Sequence, residues 1–255
     1  MTRTARWLAA AALLLAATGA APAWASELRL ASAGAVQAVV RDLVAAYEKE
    51  TANKVVATYG PVGLVRKTLA AEPTDVVVLS DTAIEAAMKD GSVVAGSRSD
   101  IARTAMGIGV REGAPRPDIS TPEALKQTLL AATSITYVDP AQGATSGIHF
   151  ASVLQRLGIA EQVRAKTRLV PGGYPAELVA RGEVELVAHQ ISEIMPVKGV
   201  TLVGPLPKAL QKLTIYSAGV AAKSAAPELA RGFVAFLMRP EFRPKFAAAG
   251  LDYRE

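Results

Sequence analysis

Apolar positions along this chain switch between two periods, and each switch marks the end of an element. Residues 28–31 (LRLA) form a short apolar run that predicts a strand, closed by the small residues Ser32, Ala33 and Gly34. From residue 35 the spacing changes. Val36, Val39, Val40, Leu43, Val44 and Tyr47 share one helical face, so a helix is expected to residue 51. Residues 54–59 (KVVATY) are β-branched and strand-like, GPVG at 60–63 is a turn, and LVRKTLAA at 64–71 is helical. The run VVVL at 76–79 reads as a buried strand.

The alternation returns in the middle of the chain. MGIGV at 106–110 predicts a strand, and residues 111–121 a proline-rich loop. Thr121 and Pro122 then supply an N-cap and a first-turn proline for a helix. SITYVD at 134–139 is a strand that enters the turn GATSG at 143–147. A helix follows to Gly158, with Thr145 or Ser146 as its N-cap and Ile148, Phe150, Ala151, Val153, Leu154 and Leu157 on its buried face. The turn PGG at 171–173, a helix opening on Tyr174, strands at 184–190, 200–207 and 213–221, and a terminal helix at 227–240 complete the series. Strands alternating with helices predict an α/β fold of two units, each a mostly parallel sheet with helices on both faces. The expected boundaries near 103–107 and 204–211 give a discontinuous first lobe, 26–104 plus 208–255, and a second lobe, 105–207.

Residues 1–25 stand outside this pattern. Arg3 and Arg6, an Ala- and Leu-rich run, and Ala23-Trp24-Ala25 have the order of a cleavable export signal, which predicts a periplasmic protein beginning at residue 26. Removing those arginines lowers the formal charge of +5 by two, and the remaining acids and bases alternate without blocks, so no nucleic-acid partner is expected. The chain has no cysteine, which excludes disulfides, thiolate metal sites and cysteine nucleophiles. Its two histidines lack ligand-like spacing, and neither a metal nor a cofactor is expected. With 51% hydrophobic residues the core suffices for two lobes in a monomer.

In order and spacing, several stretches resemble the periplasmic molybdate- and tungstate-binding proteins of ABC importers. The carriers are LASAGAVQAVVRDLVAAYEKETANKVVATYG, PTDVVVLSD, VDPAQGATSGIHFASVLQRLGI, LVARGEVELVAHQISE and PELARGFVAFL, which together span the chain after residue 26. The resemblance implies a type II periplasmic-binding fold in which two lobes close on an anion held by backbone N–H groups and neutral hydroxyls. It also implies a membrane permease as partner, or a membrane sensor in a signalling variant. The family's first oxyanion serine falls on Gly34, with Ser32 two positions earlier, and its second on Pro61 or Val62. Backbone donors fall near Ser146 and Gly172, and a tyrosine hydroxyl near Gln190, beside His189. Two hydroxyl donors and a tyrosine are therefore replaced, which implies the scaffold with another solute, a different oxyanion or a small carboxylate.

The turns themselves point the same way. Each joins a strand's C-terminal end to a helix start, where unpaired N–H groups and a partial positive charge favour an anion. The expected ligand set is Ser32, Ala33, Gly34, Pro61, Val62, Gly63, Thr145, Ser146, Gly147, Gly172, Tyr174, His189 and Gln190. His149 is expected to be an ordinary helix residue. A hydrolase is not expected, because GATSG centres Thr145 where a nucleophile elbow needs serine. The sequence thus predicts a non-catalytic solute-binding component.

Overall fold

A computed structural model describes residues 26–251, so the export signal read at 1–25 lies outside the described residues. Two five-stranded sheets are present, each wrapped by helices. The first uses β1 (Glu27–Ala33), β2 (Lys54–Gly60), β3 (Val76–Ser80), β4 (Ser99–Thr104) and β10 (Thr214–Val220), in the order β2-β1-β3-β10-β4. The second uses β5 (Met106–Arg111), β6 (Ile135–Val138), β7 (Thr167–Val170), β8 (Leu186–Gln190) and β9 (Val200–Pro205), in the order β7-β6-β8-β5-β9. In each sheet four strands run in one direction and the fifth is antiparallel to both its neighbours: β10 in the first, β5 in the second. Those two are the strands on which the chain arrives from the other sheet, so the antiparallel breaks mark where the sheets are stitched together.

Helices α1 (Gln37–Thr51), α2 (Val62–Ala71) and α3 (Asp81–Lys89) follow β1, β2 and β3. In the second half α4 (Pro122–Ala131), α5 (Thr145–Arg156), α6 (Ala160–Arg164), α7 (Ala176–Ala180) and α8 (Ile191–Ile194) surround the other sheet. α9 (Pro227–Leu237) and α10 (Arg243–Ala248) return to the first. The predicted α1 stripe is the buried one: Val39, Val40, Leu43 and Tyr47 pack inward, and Tyr47 meets Phe233 and Phe236 of α9 edge-on at 4.9 and 5.2 Å. Leu125, Leu129, Ile135, Phe150 and Val153 form the second sheet's core. Ile148 departs from expectation, being 52% exposed, because it lies on the face of α5 opposite Phe150 and Leu154. The cap of α5 also differs. Ala144 takes the N-cap position, and no side chain caps the helix, so Thr145 and Ser146 begin it instead.

The chain crosses between sheets twice, at Ala105 and through residues 206–213. One side chain ties the crossings together. Gln211 accepts from the Met106 N–H at 2.9 Å and donates to the Met106 carbonyl at 2.8 Å, while the Leu206 N–H also donates to that carbonyl at 3.0 Å. Among the described residues, no helix is long and apolar enough to cross a membrane.

Candidate functional site

A cavity of about 80 Å³ lies between the sheets, at the C-terminal ends of β1, β2, β6 and β8. Its first-sheet wall is Ala33, Gly34, Gln37, Tyr59, Pro61, Val62 and Tyr216; its second-sheet wall is Val138, Ala144, Thr145, Ser146, Gly172, Tyr174, His189 and Glu193. The helix starts expected from the glycine turns do meet here. α2 and α5 open on it, and a 3-10 turn at Gly34–Val36 leads into α1 beside it. Each supplies N–H groups with no partner within its own helix.

The most distinctive chemistry sits on the end of β8. His189 is buried at 2% exposure, and its Nδ1 lies 3.1 Å from Glu193 Oε2, one helical turn onward in α8. A hydrogen bond across that contact needs one proton, carried by either group. The Gln190 backbone N–H lies 2.7 Å from the same nitrogen, and a ring nitrogen has one in-plane site, so Nδ1 accepts from Gln190 or donates to Glu193 in a given tautomer, not both. The other ring nitrogen, Nε2, is buried with no hydrogen-bond partner, and His189 itself lines the cavity. A buried polar atom left unpaired is unfavourable, and a ligand atom is what would satisfy it.

Glu193 reaches across the gap. A Cβ placed on Gly34 would sit 3.1 Å from Glu193 Oε1, so this carboxylate lies against the first turn after β1. A serine there would require that carboxylate to give way by a few tenths of an ångström. Anions bound by hydroxyl donors at this position would meet Glu193 as well.

Three tyrosines complete the wall. Burial pushes the Tyr59 hydroxyl up to about 12, and burial likewise raises Tyr174 and Tyr216. All three stay protonated at neutral pH and offer donors. The Tyr59 hydroxyl is buried without a partner. Tyr216 is engaged instead: the Gln190 amide donates to its hydroxyl at 3.5 Å, and Thr145 also reaches it. Gln190 donates to Thr214 Oγ1 at 3.2 Å as well.

Of the thirteen residues expected to bind ligand from the sequence, nine line the cavity: Ala33, Gly34, Pro61, Val62, Thr145, Ser146, Gly172, Tyr174 and His189. Four sit behind it. Ser32 is fully buried and donates to the Ala33 carbonyl at 3.3 Å, and Gln190 is turned toward Thr214 and Tyr216. Gly147 packs so tightly on the Val138 carbonyl that a Cβ there has no room. Gly63 touches Gln142 and Gly143 of the opposite half, joining the halves directly. His149 lies outside, its Nε2 2.9 Å from the Leu210 carbonyl oxygen, and its proton affinity is lowered chiefly by burial. Glu193, Tyr59 and Tyr216 also line the cavity and are not among the thirteen expected residues. Spacing alone, four residues after His189, was the available signal for Glu193.

The sequence profile of the bacterial extracellular solute-binding proteins matches residues 28–252. The chain belongs to that family. Among solved structures, this solute-binding protein is similar to the periplasmic molybdate-binding protein of Azotobacter vinelandii, with 19% identity and a TM-score of 0.73 over 89% of this chain and 100% of that one. The tungstate-binding protein of Desulfovibrio alaskensis is also similar, at 14% identity and a TM-score of 0.64 over 90% and 99% of the two chains. The resemblance read from the sequence, and the two-lobed α/β solute-binding fold it implied, are borne out. A curated relative is nearer in sequence: the aconitate isomerase of a Pseudomonas species is 34% identical, over 96% of this chain and 95% of that protein.

Proposed function

We propose that this solute-binding protein takes an unsaturated polycarboxylate of the aconitate type into the gap between its lobes, and that the His189–Glu193 pair moves a proton on it. The observation that carries the reading is His189 on the cavity wall, its Nε2 buried and unpartnered and its Nδ1 3.1 Å from a carboxylate. An inorganic oxyanion needs donors alone and makes no use of a base. A carbon acid needs a base, and this pair is one.

Aconitate carries a methylene between a carboxylate and a double bond. With the shared proton on Nδ1 and Glu193 ionised, Nε2 presents its lone pair to the cavity and accepts the methylene proton. The electron pair of the broken C–H bond spreads over the allylic carbons and onto a carboxylate. Tyr59 and the N–H groups opening α2 and α5 stand where they can stabilise that charge. The imidazolium Nε2–H then returns the proton to the former vinyl carbon, and the double bond has shifted. No oxidant, reductant or metal enters the balance. Support for the substrate class comes from the name of the 34% identical relative together with these groups.

The test is proton NMR of residues 26–255 with cis-aconitate in D2O. Conversion to the trans isomer with deuterium incorporation is expected, reduced about 10²–10⁴-fold in His189→Ala, the usual contribution of a positioned acid–base group. A second reading, favoured by family membership, is capture without chemistry for delivery to a membrane permease from the periplasm. Saturable calorimetric binding of cis-aconitate with no exchange of its protons would select that reading. Absence of both binding and exchange would remove the polycarboxylate altogether.

A further inference from the structure

The inner cavity is small for the ligand proposed. A single water needs about 10–15 Å³ on this measure, so about 80 Å³ admits roughly half a dozen water-sized atoms. A branched tricarboxylate exceeds that, and its negative charge has one titratable base, His189, and one carboxylate, Glu193, for company inside.

A second chamber of about 480 Å³ opens directly beside the first, and the two share Gln37 and Tyr174 as a common wall. Its charge is distinct. Arg41, Arg181 and Lys198 line it against a single acid, Glu177. Arg181 is already committed to Glu183 and, at 3.8 Å, to Glu177. Arg41 and Lys198 have no carboxylate partner among the described residues.

Arg41 is the better placed of the two. It sits one turn beyond Gln37 on α1, and its guanidinium carbon is 5.3 Å from the centroid of the Tyr59 ring. The hydroxyl of that ring is the unpaired donor of the inner cavity. Its charge is felt by both Tyr59 and Tyr174, the residues between the chambers. A guanidinium that lies over a ring by this contact keeps N–H groups for a carboxylate.

We infer that Arg41 is a specificity-determining residue: the ligand spans both chambers, its reacting carbons beside His189, and Arg41 grips a distal carboxylate in the outer one. A compact oxyanion, lodged wholly in the inner cavity, would not reach it. Selection for polycarboxylates then comes from an exposed cation outside the reacting centre. This inference rests on the polycarboxylate reading of the inner site.

Arg41→Gln, Arg41→Lys and the unaltered protein are compared with cis-aconitate and with molybdate, by steady-state kinetics and calorimetry. Arg41→Gln is expected to raise KM, or Kd where no turnover occurs, about tenfold or more while kcat changes little, since a remote anchor holds ground state and transition state alike. Arg41→Lys should recover part of the loss. The KM of the unaltered protein should climb as salt is raised from about 0.05 to 0.3 M, and that of Arg41→Gln should climb less. Any molybdate affinity should be the same in all three. A KM for Arg41→Gln within about twofold of the unaltered protein overturns the assignment and leaves the inner-site reading standing. Equal losses for both ligands with a lowered melting temperature mean a structural role and overturn it too. If the unaltered protein neither binds nor converts cis-aconitate, the inner-site reading fails and this inference falls with it.

Discussion

The glycine contact between the halves allows a test of closure that leaves each half intact. A Cβ added at Gly63 meets the Gln142 carbonyl oxygen below the 3.0 Å that real Cβ atoms keep, and lies 3.1 Å from both the Gln142 carbonyl carbon and Gly143 Cα. All three obstacles are backbone atoms, so no side chain can swing aside. Restoring ordinary contact at about 3.5 Å requires the facing backbones to part by roughly 1 Å. Inside a core such overpacking costs about 1–3 kcal/mol. Here the strain vanishes if the lobes stay apart, so Gly63→Ala should fall on the closed, liganded state and spare the open one. Ligand binding then weakens by the same amount, about 5–150-fold. Two measurements decide it: calorimetric affinity for cis-aconitate, and the melting temperature without ligand, which should change by less than about 2 °C. Scattering of the variant with saturating ligand should give a larger radius than the unaltered protein. Unchanged affinity would refute the argument, and so would a large drop in the unliganded melting temperature, because either result means the contact is not specific to closure.

The wall residues give further expectations. Tyr59→Phe removes a buried hydroxyl that has no internal partner, so the unliganded melting temperature should hold or rise while kcat/KM for cis-aconitate falls about 10–100-fold; equal kcat/KM would take Tyr59 out of the site. Gly34→Ser puts a Cβ 3.1 Å from Glu193 Oε1 and should pull that carboxylate off His189, lowering proton exchange into the substrate at least about tenfold; full exchange would show the pair is not needed. His149 has its proton affinity lowered by burial, so the folded protein prefers it neutral. Its contribution is complete above the ordinary value of 6.5 and is lost as pH falls below it, because the unfolded chain takes up the proton first. Melting curves between about pH 7.5 and 5 should therefore decline less steeply for His149→Gln; parallel curves would assign the acid sensitivity elsewhere.

The elements were legible where the pattern is local. Val36 through Tyr47 announce α1 by spacing, and Thr121-Pro122 announces α4 by its cap, whose hydroxyl accepts from the Ala124 N–H at 3.1 Å. β4 is harder to read, since SDIART carries charges at Asp100 and Arg103 and two buried residues at its centre, Ile101 and Ala102. The site was half legible for the same reason. Glycine turns after strands locate the cleft, and nine expected residues line it. Direction was not legible. Residues 30–33 are all buried, so alternation cannot tell which way Ser32 points. Gln190 is turned away by Thr214 and Tyr216, residues of a strand far along the chain. The Glu193 contact with Gly34 joins opposite halves, and no periodicity in either segment records it.

The Gln211 side chain has a mechanical consequence. An amide that gives to the carbonyl and takes from the N–H of one residue holds the Met106 strand and the returning segment side by side as a two-ply ribbon. A ribbon flexes more easily across its face than it shears or twists, so any relative motion of the lobes is favoured in one plane, like a gate on a strap. Replacing the amide by an isosteric hydrocarbon would free the plies to slide, and alignment of the reacting groups would then be lost before the fold itself.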